Sequence, residues 1–221
     1  MTLLKNISKD QIKKFIWVFY ALGIVGLGIP WTRAFFIYLV PINFLMSFVV
    51  LLVTDRSDHK LLIPFAVIVF VFGFLIEAVG VNTGLVFGDF TFGKSLGPKG
   101  FGTPIIIGFN WLMLVYCANI IVSHLTDNRY FISFLATILI VVYDMVLEGP
   151  AGVMGMWSWD WANIPMMNFL SWFIIAWVLS GALQLAKIKL ENPVAGTLFS
   201  AQFICFLCLN IIFFVEQAFV P

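Results

Sequence analysis

The chain alternates long apolar stretches with short polar breaks, and the stretch length is that of membrane-crossing helices. Apolar windows run over residues 15–31, 34–53, 61–81, 104–125, 130–149, 165–186 and 195–217. A helix needs roughly 20 mostly apolar residues to cross the hydrocarbon core of a bilayer. Pro30, Pro41, Pro64, Pro104, Pro165 and Pro193 fall near the limits of these windows, where helices start or break. The pattern predicts an all-α polytopic membrane bundle of about seven transmembrane helices. It is one integral membrane domain over residues 1–221, with no connection long enough to fold separately and no internal repeat.

Composition agrees. The sequence is 62% hydrophobic and 10% charged, with 25 Phe and 8 Trp, and its mean hydropathy is +1.06. Soluble domains are about 45–50% apolar. The net charge of +1 leaves no footprint for nucleic acid. Lys5, Lys9, Lys13 and Lys14 precede the first window as in a signal peptide, but the apolar run continues to about Ile29 without a small-residue cleavage site. A retained first helix is expected.

Charge also orients the chain. With seven spans, one side carries Lys5, Lys9, Lys13, Lys14, Arg56, Lys60, Arg129, Lys187 and Lys189, nine basic residues; the other carries Arg33, Lys94 and Lys99, three. The positive-inside rule places the N-terminus in the cytoplasm and the C-terminus outside. The expected location is the inner (cell) membrane of a bacterium or archaeon.

Against this apolar background four carboxylates stand out: Glu77, Asp144, Glu148 and Glu216. An acid at membrane depth costs several kcal/mol, roughly 2.5–3.5 on insertion scales, and marks a candidate site. The topology brings all four to the outer ends of the third, fifth and seventh spans. Connections 82–103 and 150–164 lie on that side too, carrying Asp89 and Asp160.

Asp144 and Glu148 are four residues apart, so a helix stacks them on one face. Two carboxyls that close in low dielectric cannot both ionise easily, and one is expected to stay protonated, as a general acid must be. The plainer alternative is that hydrogen bonds neutralise each acid and the acids only hold helices together. The run from Glu148 to Trp161 follows, with Pro150 and three glycines expected to end the helix. Trp157, Trp159 and Trp161 alternate, so an extended stretch puts them on one side. That side is an interfacial belt, or an aromatic wall for an apolar ligand or a cation. The Gly-rich stretch from Gly80 to Gly93 continues from the Glu77 helix. It lacks the strand–turn–helix context of a phosphate loop and reads as a lid or lining.

Other chemistries lose ground. His59 and His124 are the two histidines, which rules out a multi-histidine di-iron cluster, and no metal site is expected. The seventh span has no lysine for a retinal Schiff base. Asp55-Arg56-Ser57-Asp58 has the spacing of a metal–pyrophosphate pair but reads as a solvated loop. Cys117, Cys205 and Cys208 read as small buried hydrophobes, with redox use of Cys205–Cys208 as the alternative.

Tyr143-Asp144-x-x-x-Glu148-Gly149-Pro150, Trp157-x-Trp159, and Phe74-x-x-Glu77 leading to Gly80-x-Asn82-Thr83-Gly84 resemble the carotenoid hydratase family, over roughly residues 60 to 217. The resemblance implies cofactor-free addition of water across the terminal C1′=C2′ double bond of an acyclic (ψ) carotenoid end. Its substrate would be lycopene, γ-carotene or a C50 relative, taken from membrane lipid, with possible association with other carotenoid enzymes. The catalytic candidates are Asp144, Glu148, Glu77 and Asp160; Asp144 or Glu148 donates the proton, and the remaining acids handle water. Trp157, Trp159, Trp161, Tyr143, Asn82 and Phe74 are the candidates for substrate contact. Three other readings stay open on the residues alone: a proton-coupled transporter, a non-catalytic lipid-binding scaffold, and a carotenoid or isoprenoid cyclase or isomerase that quenches the same cation by proton loss.

Overall fold

The computed structural model describes residues 8–160 and 163–219. Eight helices carry the chain: α1 (Lys9–Gly28), α2 (Pro30–Tyr38), α3 (Val40–Thr54), α4 (His59–Thr83), α5 (Ile106–Ser123), α6 (Arg129–Val153), α7 (Met166–Leu185) and α8 (Ala195–Phe219). Six are each long and apolar enough to cross a membrane. The expected second span is broken: α2 and α3 meet at a 55° bend, with Pro41 in the first turn of α3. The pair still crosses. At its start Arg33 reaches Glu216 near the end of α8 at 2.6 Å. At its finish Asn192, just before α8, donates to the Leu51 carbonyl and accepts from Thr54. The 25 residues of α8 extend about 37 Å at 1.5 Å per residue, so the bent pair traverses the bundle and makes the seventh span.

Helix ends follow local chemistry. Ser8 and Gln11 form a capping box at the start of α1. Asp58 and Asn128 cap α4 and α6 through their side chains. Gly84 ends α4 in the left-handed conformation at φ 66°, which glycine adopts without strain.

α5 is the axis of the bundle. It is buried over most of its surface and packs against α3, α4, α6, α7 and α8, as expected of a helix that is apolar all round. The outer helices turn Val18, Phe35, Ile68, Trp177 and Phe214 outward to lipid.

The structure corrects one expectation. α6 does not end at Pro150 but continues to Val153. Proline removes the N–H that would bond the Val146 carbonyl four residues back. The Asn210 amide of α8 donates to that carbonyl instead, at 2.5 Å. Gly149 makes this possible, since a Cβ there would collide with Asn210 Oδ1. The helix is repaired by its neighbour, as backbone in lipid requires.

Two short antiparallel pairs close one end. β1 (Phe90–Phe92) pairs with β4 (Trp157–Trp159) in the register Phe90↔Trp159, Thr91↔Ser158 and Phe92↔Trp157. β2 (Lys99–Gly100) pairs with β3 (Thr103–Pro104). The two long connections are laced together: the Gly93 N–H donates to Met156 O, and Ser95 Oγ donates to Gly155 O. The predicted lid is this β1–β4 roof.

Candidate active site

Under the roof lies a part-open cavity of about 30 Å³, lined by residues of α4, α5, α6, α7, β1 and β4. Glu77 comes from α4, and Asp144 and Glu148 from one face of α6; all three are buried. Among the described residues no Lys, Arg or His lines the cavity. Three carboxyl groups therefore share a low-dielectric space without a counterion.

The three acids are held differently. Glu148 is saturated with donors. The indole N–H groups of Trp157 and Trp159 both reach its Oε2 at 2.9 Å, and the Asn168 amide reaches Oε1 at 3.2 Å. The alternation of the two tryptophans along β4 aims both indoles at this oxygen. Asn168 on α7 also donates to Asp144 Oδ2 at 3.2 Å, so one amide fixes the spacing of the pair. Asp144 Oδ1 is buried with no hydrogen-bond partner. An orphaned buried polar atom costs about 1–3 kcal/mol, and such an atom in a cavity is available to whatever enters. Glu77 accepts from the Trp111 indole at 3.0 Å. Trp111 in turn stacks on Trp172, with centroids 4.1 Å apart. Gly73, one turn before Glu77, leaves room for Trp111; a Cβ there would lie 2.7 Å from its side chain.

The rest of the lining is aromatic and apolar: Phe87, Phe90, Phe92 and Trp172 among others. A cavity needs roughly 10–15 Å³ of free space to hold a water, so this one has room for water as it stands. Among the described residues no group of three His, Cys, Asp or Glu side chains is arranged to hold a metal ion.

The fourth acid of the expected cluster is elsewhere. Glu216 lies at the same end of the bundle but in the α1–α2–α8 corner, where Arg33 holds both of its oxygens at 2.6 and 3.3 Å. Arg33 also bonds the Leu27 and Gly28 carbonyls and sits over the Phe213 ring at 4.7 Å.

A model of the carotenoid biosynthesis protein family matches residues 35–220. The chain belongs to that family. One relative, the bisanhydrobacterioruberin hydratase of Haloarcula japonica, is 34% identical over 109 residues, covering 45% of this chain and 36% of that protein. The chain thus spans little more than a third of the relative's length. No solved structure matches the chain. Membership gives the protein a role in carotenoid biosynthesis, and its apolar helices place it in a membrane.

The remaining sequence-derived candidates divide in this family member. Asp160 is exposed, outside the cavity lining, with its N–H on the Asp89 carbonyl. Tyr143 is buried on another face of α6, where its hydroxyl donates to Gln202. Asn82 donates to Ala78 O and Phe101 O, tying the β2–β3 turn to the end of α4. Phe74 is half-buried outside the lining. Trp161 lies outside the described residues. Sequence reasoning passed over Asn168, Asn110 and Trp172, which line the cavity, and Trp111 behind Glu77. The signal for the two asparagines was available: a polar amide inside an apolar span is as anomalous as an acid.

Proposed function

We propose that the protein is a carotenoid hydratase, adding water across the terminal C1′=C2′ double bond of a ψ end group by protonation and capture of a tertiary cation. One observation carries the reading: a buried Asp144 with one free oxygen, in an aromatic cavity with no cation, beside a Glu148 that three N–H donors hold. The family and the hydratase relative support the substrate class.

The assignment follows from hydrogen-bond accounting. An ionised carboxylate only accepts, whereas a protonated carboxyl carries one O–H donor. Glu148 receives three N–H groups and takes the part of the anion. Asp144 Oδ1, unpartnered, takes the part of the proton carrier. Asp144 delivers its proton to C2′, and the alkene π electrons form the new C–H bond. The resulting C1′ cation lies among indole and phenyl faces and close to the Glu148 charge, both of which stabilise it. A water oxygen then bonds to C1′ and loses a proton to Asp144 Oδ1. Asp144 is thereby restored, and the net change is addition of one water. The polyene remainder extends into lipid. The basic-residue bias supports a cavity on the outer side of the membrane.

The test is purified protein in detergent with lycopene or γ-carotene and no added cofactor. The expected product is heavier by one water per reacted end. A product of unchanged mass but altered absorption would replace hydration by cyclisation or isomerisation. No reaction with any ψ-ended carotenoid would overturn the proposal.

A further inference from the structure

Among the described residues three buried side-chain polar atoms have no hydrogen-bond partner: Thr103 Oγ1, Asn110 Oδ1 and Asp144 Oδ1. The residues carrying two of them, Asn110 and Asp144, line the same cavity. α5 supplies its own control. Asn119, nine residues along the same helix, is equally buried but fully used: its amide donates to Val115 O and Ser180 Oγ, and its oxygen accepts from Gln184. A buried asparagine that joins helices looks like Asn119. Asn110 instead stands with Ile107 on the face of α5 that lines the cavity, and its oxygen is unspent.

We infer that Asn110 is the water-binding residue of the site. Its carboxamide oxygen holds the water that captures the cation, and afterwards the tertiary hydroxyl of the product. The inference rests on the hydratase reading. Water brings two O–H donors, and the cavity offers two unpartnered acceptors on different helices, Asn110 Oδ1 and Asp144 Oδ1. A water donating to neither would be free to turn its hydrogens toward the cationic carbon. Held by Asn110, it turns its lone pairs there instead. The O–H on the Asp144 side is the one lost when the C1′–O bond forms, and Asp144 Oδ1 takes that proton. Two fates compete for the cation: capture by water, or loss of a proton back to a carboxylate to give an alkene. Asn110 decides between them.

The test compares wild type with Asn110→Leu and Asn110→Ala, in D₂O, on lycopene. It measures the ratio of hydrated product to recovered or isomerised alkene carrying deuterium at carbon. The ratio does not depend on how much of each preparation is folded. In either variant it should fall at least tenfold, with deuterium entry into the alkene retained and the KM for lycopene within about threefold of wild type. Asn110→Asp, which keeps an oxygen in place, should recover part of the hydration. A wild-type ratio in either variant would overturn the inference, as would parallel loss of hydration and deuterium entry in both. If wild type itself forms no hydrate, the hydratase reading fails first, and the two failures are thus distinct.

Discussion

Two corners at the same end of the bundle hold acids of opposite character. In the α1–α2–α8 corner, Arg33 chelates Glu216 and fastens the broken span to the last helix. Under the β1–β4 roof, Glu77, Asp144 and Glu148 meet with only neutral N–H donors. The first arrangement satisfies its charge and leaves nothing for a ligand. The second keeps acids without counterions and one oxygen idle. An intramembrane acid alone does not mark chemistry; the absence of a cation beside it, in a cavity, does.

Mutations can break this contrast. Removing Asp144, the proposed proton carrier, has the largest expected effect. Asp144→Asn keeps the shape and should lower the hydration rate by 10²–10⁴-fold, the usual weight of general acid catalysis, without loss of folded protein on gel filtration. Asn168→Leu should come next. It frees the spacing of Asp144 and Glu148, and a fall of roughly 10–100-fold in kcat is expected, about 1.4 kcal/mol of barrier per factor of ten. Trp157→Phe leaves the aromatic wall but removes one of three donors to Glu148, so a loss of about tenfold is expected, in line with a charge-assisted hydrogen bond of ~1.5–3 kcal/mol partly replaced by the remaining donors. Glu216→Gln should act on the other quantity. It leaves Arg33 half-buried without its partner and should lower stability by roughly 1–3 kcal/mol, between the values for exposed and buried pairs, while activity per folded molecule stays within about twofold.

Much of this was legible in the sequence, because a bilayer makes simple demands. Seven apolar windows gave seven crossings, and turn arithmetic put Asp144 and Glu148 on one face. The alternation of Trp157 and Trp159 foretold that both indoles would point the same way. What was not legible depended on partners distant in sequence. Pro150 failed to stop α6 because Asn210, 60 residues on, takes over the freed carbonyl. Glu216 left the cluster because Arg33, which a charge count treats as a loop cation, folds over it. Asn168 and Asn110 were hidden for a third reason: single amides in apolar helices become meaningful only when packing decides which way each helix turns. Asp160 was drawn in by position along the chain, yet it follows β4 and is exposed.

The central claim is that an acid without a counterion, and not merely a buried acid, does the work. Hydrate formed from lycopene per folded molecule, measured side by side for wild type, Asp144→Asn and Glu216→Gln, tests it most directly. Wild type and Glu216→Gln should make hydrate at comparable rates, with Asp144→Asn at least a hundredfold slower. Hydration by Asp144→Asn at the wild-type rate, or an equal loss in Glu216→Gln, would contradict it.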